Sequence, residues 1–210
     1  MPRARYQKLD EAVRNLKVGD IVLVHAKTLL GKIIRHSTDS HWSHVAIVFD
    51  TPDVSGTEHD VLIIEADWQV EIHRLTTYLH EPDLYDVGFK RVAFLTDEER
   101  ERFRGFFLDA VDTPYDTYRL FIFFIQTVLA WAAHMDIGYA TARSVINTDN
   151  YICTSLTQRA YYLAVSPEKR GRTIFRRNDK GIDFLQQMEK ISPADIARSD
   201  NTEWLYNPHR

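Results

Sequence analysis

The sequence predicts an α+β fold, with a small sheet drawn from the first half of the chain and helices from the second. Three observations predict it. Runs rich in Val, Ile and Phe recur up to residue 95, separated by Gly, Pro and Asp segments, as strands are. From Thr96 onward the apolar residues take up helical spacing. The 210 residues, 44% of them hydrophobic, suffice for one well-packed domain, and no repeat, low-complexity tract or linker divides them.

Residues 7–17 are expected to form a short amphipathic helix. In "VGDIVLVHA", Gly19 and Asp20 mark a turn before an apolar, β-branched strand, and "TLLGKIIRHS" continues as helix. Three further segments, "SHVAIVFD", "DVLIIEADWQVEIHRL" and "GFKRVAFL", read as the remaining strands. "TDEERERFRGFFLDAV" opens the helical half, with Thr96 as N-cap and acidic residues in its first turn. "DTPYD" interrupts it, and "YRLFIFFIQTVLAWAAHM" follows, apolar on all sides but too short on either side of Gln126 to span a bilayer. It is expected to be a core helix, with lipid or substrate contact as the alternative. "NTDNYICTSLTQRAYYLAV" offers Asp149 or Asn150 as N-cap, which puts Cys153 in or near a first helical turn. Cys153, Leu156, Ala160 and Leu163 share a stripe that is expected to face inward. Residues 165–210 are read as a helical and loop extension to a core of about 19–164.

The formal charge of −4, with both signs scattered along the chain, argues against a nucleic-acid partner. A single cysteine excludes an internal disulfide and a Cys-rich zinc cluster. The polar N-terminal stretch lacks the apolar segment of a secretory signal, so a cytoplasmic location is expected. Oligomeric state is not legible.

A cysteine attacks as thiolate, and an unperturbed thiol with a pKa of about 8.5 is only a few per cent ionised at neutral pH. A helix N-terminus and an adjacent imidazole both favour the anion, so Cys153 facing a strand-borne histidine is a candidate nucleophile. On spacing alone, a lone cysteine on an apolar helical face is more often a small core residue. His44 opens the apolar run "HVAIVF" and suits a general base at a strand end. A packed, hydrogen-bonded histidine is the plainer reading. His36, His41 and His44 offer a zinc alternative, but their spacing lies across a helix end and a turn and matches no strong ligand pattern. Glu65 ends "VLIIE" on the face of Val61 and Ile63, where a carboxylate needs a donor or a cation. It would orient an imidazole, with Asp67 as the fallback.

Together these residues resemble the papain-like cysteine hydrolases of the NlpC-like superfamily, in the circularly permuted YiiX/YebB-like branch. The resemblance lies in ordered segments: "GDIVLVHAKTLLGKIIRHSTDSHWSHVAIVFD", "VLIIEADW", "DTPYDTYRLF", "YICTSLTQRAYY" and "ISPADIARSDN". It implies a papain-like (circularly permuted NlpC-type) α+β fold, a small antiparallel sheet packed against helices. It also implies Cys153 as nucleophile, His44 as base and then acid, and Glu65 as the group that orients the ring. Tyr115, Asp116 and Tyr151 are then cleft residues on the substrate side. No cofactor or metal is implied, and the expected substrate is a small peptide or amide, such as a cell-wall peptide. The order His44, Glu65, Cys153 is compatible with catalysis because a triad requires proximity in space, not order in the chain.

"YICTSL" lacks the Asp-Cys-Ser-Gly form of the unpermuted enzymes, which weakens transfer of their substrate specificity. A lipid-directed thiol acyltransferase is the alternative. It draws on the apolar run 120–133 and on Lys169, Arg170, Arg172, Arg176 and Arg177 as a headgroup patch, so membrane contact stays open. A non-catalytic binding module on the same fold is the alternative from another class.

Overall fold

The computed structural model describes residues 4–51, 61–66, 70–111, 153–175 and 191–209. Its centre is a six-stranded sheet in the order β4-β3-β2-β1-β5-β6, antiparallel at every pairing. The strands are β1 (Ile21–Ala26), β2 (His44–Asp50), β3 (Leu62–Ala66), β4 (Val70–Arg74), β5 (Tyr85–Arg91) and β6 (Glu203–Tyr206). Helices α1 (Leu9–Arg14), α2 (Leu29–Thr38), α3 (Thr76–Leu79), α4 (Asp97–Ala110), α5 (Cys153–Ala164) and α6 (Pro193–Arg198) accompany it, with a 3₁₀ helix at Pro167–Thr173.

The sheet is covered on both faces, which is why β1 and β2 read as continuous apolar runs. On one face Ile21, Leu23, Val45, Ile47 and Ile64 pack with Phe103 and Phe107 of α4 and with Leu156, Ala160 and Tyr161 of α5. On the other, Val22, Val24, Ala46, Val48 and Ile63 pack with Ala12, Leu16 and Leu75, the residues of and beside α1 and α3. Each fully buried aromatic or aliphatic side chain contributes roughly 1.5–3 kcal/mol of transfer free energy, so the two apolar layers favour the strand register that keeps these residues inside.

Polar groups fix the ends of these elements. Asp20, completely buried, accepts from Nε and Nη2 of Arg91 at 2.8 and 2.5 Å and from the Lys17 N–H at 2.8 Å. This ties the start of β1 to the end of β5. Gly19 has φ +81°, a left-handed conformation that suits glycine, and its N–H donates to the Val48 carbonyl at 2.8 Å. Helix α4 begins with the predicted Thr96 cap in a full capping box: Thr96 Oγ1 accepts from the Glu99 N–H, and Glu99 returns an oxygen to the Thr96 N–H. Lys90, almost fully buried, donates to the carbonyls of Ile196, Ala197 and Ser199 and so closes the C-terminal end of α6.

Several elements differ from the sequence reading. Helix α1 is shorter than 7–17, because Lys17 to Gly19 are drawn into the turn around Asp20. The segment "DVLIIEADWQVEIHRL" holds two strands, β3 and β4. The last long strand begins earlier, at Tyr85, where the sheet pairs it with Ala26, and ends at Arg91. Helix α5 is turned relative to the expected stripe: Leu163 is 53% exposed, while Tyr161 and Ala164 are buried with Leu156 and Ala160. The C-terminal segment expected as helix and loop supplies β6, which pairs with β5, and places Ile196 and Trp204 in the core. Single strands at a sheet edge are short and carry little periodic signal. The apolar run 120–133 lies outside the described residues.

Candidate active site

His44 is the first residue of β2, and its placement begins with the loop before it. Asp39 ends α2 in the left-handed conformation (φ 45°), one of the few non-glycine residues that tolerates it, and its carbonyl accepts from Arg198 Nη2 at 2.7 Å. Trp42 is buried and lies on Gly88, where a Cβ would come within 2.7 Å of the indole, so only glycine leaves room for the ring. Ser43 then clamps the strand entry: its N–H and hydroxyl both donate to the Val24 carbonyl, at 2.9 and 3.1 Å, and its hydroxyl accepts from the Ala26 N–H at 2.9 Å. With residues 42 and 43 held, His44 enters the ladder opposite Val24.

Glu65 stands on the next strand, opposite Ala46. Side chains two apart on a strand share a face, so His44 and Glu65 project from the face of Val24, Ala46 and Ile63. They meet directly, with His44 Nε2 2.8 Å from Glu65 Oε2. The carboxylate only accepts, so the ring nitrogen that faces it, Nε2, carries a proton. The Tyr78 hydroxyl on α3 donates to the same Oε2 at 2.7 Å. Oε1 faces Nε2 of His73 at 3.7 Å, and His73 in turn lies 3.1 Å from Glu71.

The Glu65 side chain is 7% exposed and that of His44 20%. Burial alone would push the Glu65 carboxyl up, but the His44 hydrogen bond and charge, the Tyr78 hydroxyl and His73 outweigh it and hold the carboxyl below its ordinary value. The buried acid is thus an anion oriented by three neighbours, able to fix the imidazole's tautomer and to favour its protonated form. Neither Tyr78 nor His73 was singled out from the sequence. The four-residue helix "TTYL" has no periodicity of its own, and only the pairing of β3 with β4 brings it back over Glu65.

Cys153 is the first residue of α5, and of its side chain nothing is described. The helix itself packs against β2 and β3. Its inward residues lie among Val45, Ile47 and Ile64, on the sheet face opposite to the one from which His44 and Glu65 project. Tyr115, Asp116, Tyr151 and the fallback Asp67 lie outside the described residues.

The zinc alternative is not supported by the arrangement. His44 turns to Glu65, and His36 is exposed on the last turn of α2. His41 lies between His25 and His209, with ring centroids 4.1 and 4.0 Å away, tilted on the first and edge-on to the second, while His25 Nδ1 donates to the His41 carbonyl. Among the described residues no group of three or more His, Cys, Asp or Glu side chains converges to hold an ion. The headgroup patch fares similarly: Lys169 binds Glu99 at 2.8 Å, Arg170 lies over Tyr162 and Arg172 over Phe94, so these cations are engaged by the protein itself. Arg176 and Arg177 lie outside the described residues. No helix among the described residues is long and apolar enough to cross a membrane.

Comparison with known proteins agrees with this architecture. Residues 15–122 match the model of the permuted papain-like amidase enzymes, the YaeF/YiiX, C92 family of peptidases. No curated protein sequence matches the chain at a significant level. Among solved structures, the metalloprotein yiiX from Escherichia coli O157:H7 superposes with a TM-score of 0.54 over 90% of this chain and 95% of that one, at 17% identity. That likeness shows a shared fold, the permuted papain-like α+β arrangement. With slightly more than half of its residues matched by the family model, and with the sheet and helices of the permuted papain-like fold, the chain belongs to the YaeF/YiiX family of permuted papain-like amidases.

Proposed function

We propose that this protein is a cysteine hydrolase that cleaves a peptide or isopeptide amide bond with Cys153, His44 and Glu65. The observation that carries the reading is the His44–Glu65 couple, a buried carboxylate that holds Nε2 of the imidazole. In the reaction the Cys153 thiol gives its proton to His44, and the sulfur bonds to the substrate carbonyl carbon. The carbon–nitrogen bond breaks as His44 returns the proton to the leaving amine. Water, deprotonated by His44, then displaces the thiol from the acyl-enzyme and releases the acid. The Cys153 backbone N–H at the helix start is the candidate oxyanion donor.

The dimensions of two elements support the pairing. The Tyr161 hydroxyl donates to the Gly19 carbonyl, and the Gly19 N–H bonds Val48, so this part of α5 lies beside the C-terminal end of β2. Cys153 lies eight residues earlier, about 12 Å along a helix, and His44 lies four residues before Val48, about 13 Å along a strand. If α5 runs beside β2 in the same direction, it begins level with His44. The inward residues of α5 and the His44–Glu65 couple occupy opposite faces of the sheet, so this reading requires the thiol to reach the imidazole around the strand end.

The solved relative is described as a metalloprotein. Among the described residues of this chain, no set of histidines and acids fits an ion. The test is the pH dependence of iodoacetamide alkylation of Cys153 in wild type and His44→Ala. A thiolate reactive well below pH 8, and lost in the variant, is expected; an ordinary thiol profile in both proteins ends the proposal.

A further inference from the structure

We infer that Tyr78 is a positioning residue of this site: it selects which Glu65 oxygen faces His44 and weakens that oxygen's hold on the imidazole proton. The inference rests on the hydrolase reading above. Glu65 Oε2 accepts two hydrogen bonds, from His44 Nε2 at 2.8 Å and from the Tyr78 hydroxyl at 2.7 Å. Two donors converging on one oxygen fix the carboxylate's rotation. The ring of Tyr78 is itself held, edge-on to Tyr85 at a centroid distance of 5.0 Å and an angle of 80°. Tyr85 opens β5, where it pairs with Ala26 of β1, so the donor is braced by a residue of the sheet.

The chemical argument concerns proton affinity. A full carboxylate beside a histidine stabilises the imidazolium strongly, and a ring that holds its proton too firmly is a poor acid toward the leaving amine. A hydroxyl donating to the same carboxylate oxygen draws charge from it and moderates the effect. A phenol is suited to this task, because it remains a donor across neutral pH, whereas a histidine would titrate there and a carboxylic acid would already be ionised. The other groups facing Glu65 come from β2 and β4: His44 at Oε2, and His73 at Oε1 at 3.7 Å. His73 sits closer to Glu71, at 3.1 Å, and the only hydroxyl on Oε2 is that of Tyr78 among the described contacts.

The test is NMR titration of the His44 ring in a Cys153→Ser background, so that the ring reports the carboxylate side alone. Relative to that background, Tyr78→Phe is expected to raise the His44 titration midpoint by about half a pH unit, and Glu65→Gln to lower it. Site-specific 2-fluorotyrosine at position 78, a somewhat stronger donor of the same shape that stays protonated across neutral pH, is expected to lower it and decides the matter should Tyr78→Phe fail to fold. Equal midpoints with tyrosine, phenylalanine and fluorotyrosine would overturn the inference while leaving the hydrolase reading intact. That reading fails separately, if alkylation of Cys153 is indifferent to His44.

Discussion

Glu65→Gln is the perturbation that most directly weighs the couple at the centre of the site. The substitution keeps the side chain's shape and an oxygen able to accept from His44 and Tyr78, and removes only the charge. With His44 Nε2 2.8 Å from Oε2, the charge centres lie about 4 Å apart, and at an effective dielectric of about 20 their attraction is roughly 4 kcal/mol. The imidazole is partly open to water, its side chain 20% exposed, and solvent screening together with the retained hydrogen bond brings the expected loss to about 2 kcal/mol. That corresponds to about 1.5 pH units in imidazolium stability. Alkylation of Cys153, followed from pH 5 to 9, is the assay. The inflection for thiolate formation should move up by about that interval, and at any pH below both inflections the rate should fall roughly 30-fold, with little change in the unfolding midpoint. An inflection that stays in place would show that Glu65 does not act on the thiol through His44, and would refute the reasoning.

Two further outcomes follow from groups away from the thiol. Arg91→Met should cost about 3–5 kcal/mol in urea denaturation, because it leaves the fully buried Asp20 without its bidentate partner; the double variant Asp20→Asn/Arg91→Met should recover much of the loss, and failure to recover would show that the arginine acts through packing alone. His41 is pushed down to about 4 from its ordinary 6.5, by burial first and then by the nearby His25, His209 and Arg35. Because the folded state binds this proton less readily than the unfolded chain, stability should be complete above about pH 6.5 and decline as the pH falls toward 4. The decline should be smaller in His41→Gln when thermal midpoints are compared between pH 7 and 4.5.

Much of the core was readable from the chain because its signals are local. The apolar runs of β1 and β2, the Thr96 cap with Glu99 three residues on, and the break in character at residue 96 each follow from side-chain preferences over a few residues. The ordered segments also carried the family, and the partnership of His44 with Glu65 followed from chemistry, since a buried carboxylate requires a donor.

Tertiary structure decided the rest, because those contacts cross long stretches of chain. The strand at Glu203–Tyr206 is defined by pairing with β5 rather than by its four residues. The exposure of Leu163 depends on how α5 is turned on the sheet, a rotation that the spacing of apolar residues leaves loose by about one position. His25, His41 and His209 bring their rings together although they come from β1, the loop before β2 and the far end of the chain. Tyr78 reaches Glu65 only because β4 folds back antiparallel on β3 and hands the chain to α3 above the carboxylate. Sequence by itself determined which residues are candidates for the chemistry and on which elements His44, Glu65 and Cys153 stand, because those follow from local periodicity and side-chain chemistry. Which oxygen faces which nitrogen, and from which side of the sheet, was settled only by the packing of elements distant in the chain, since hydrogen-bond geometry depends on their relative placement in space.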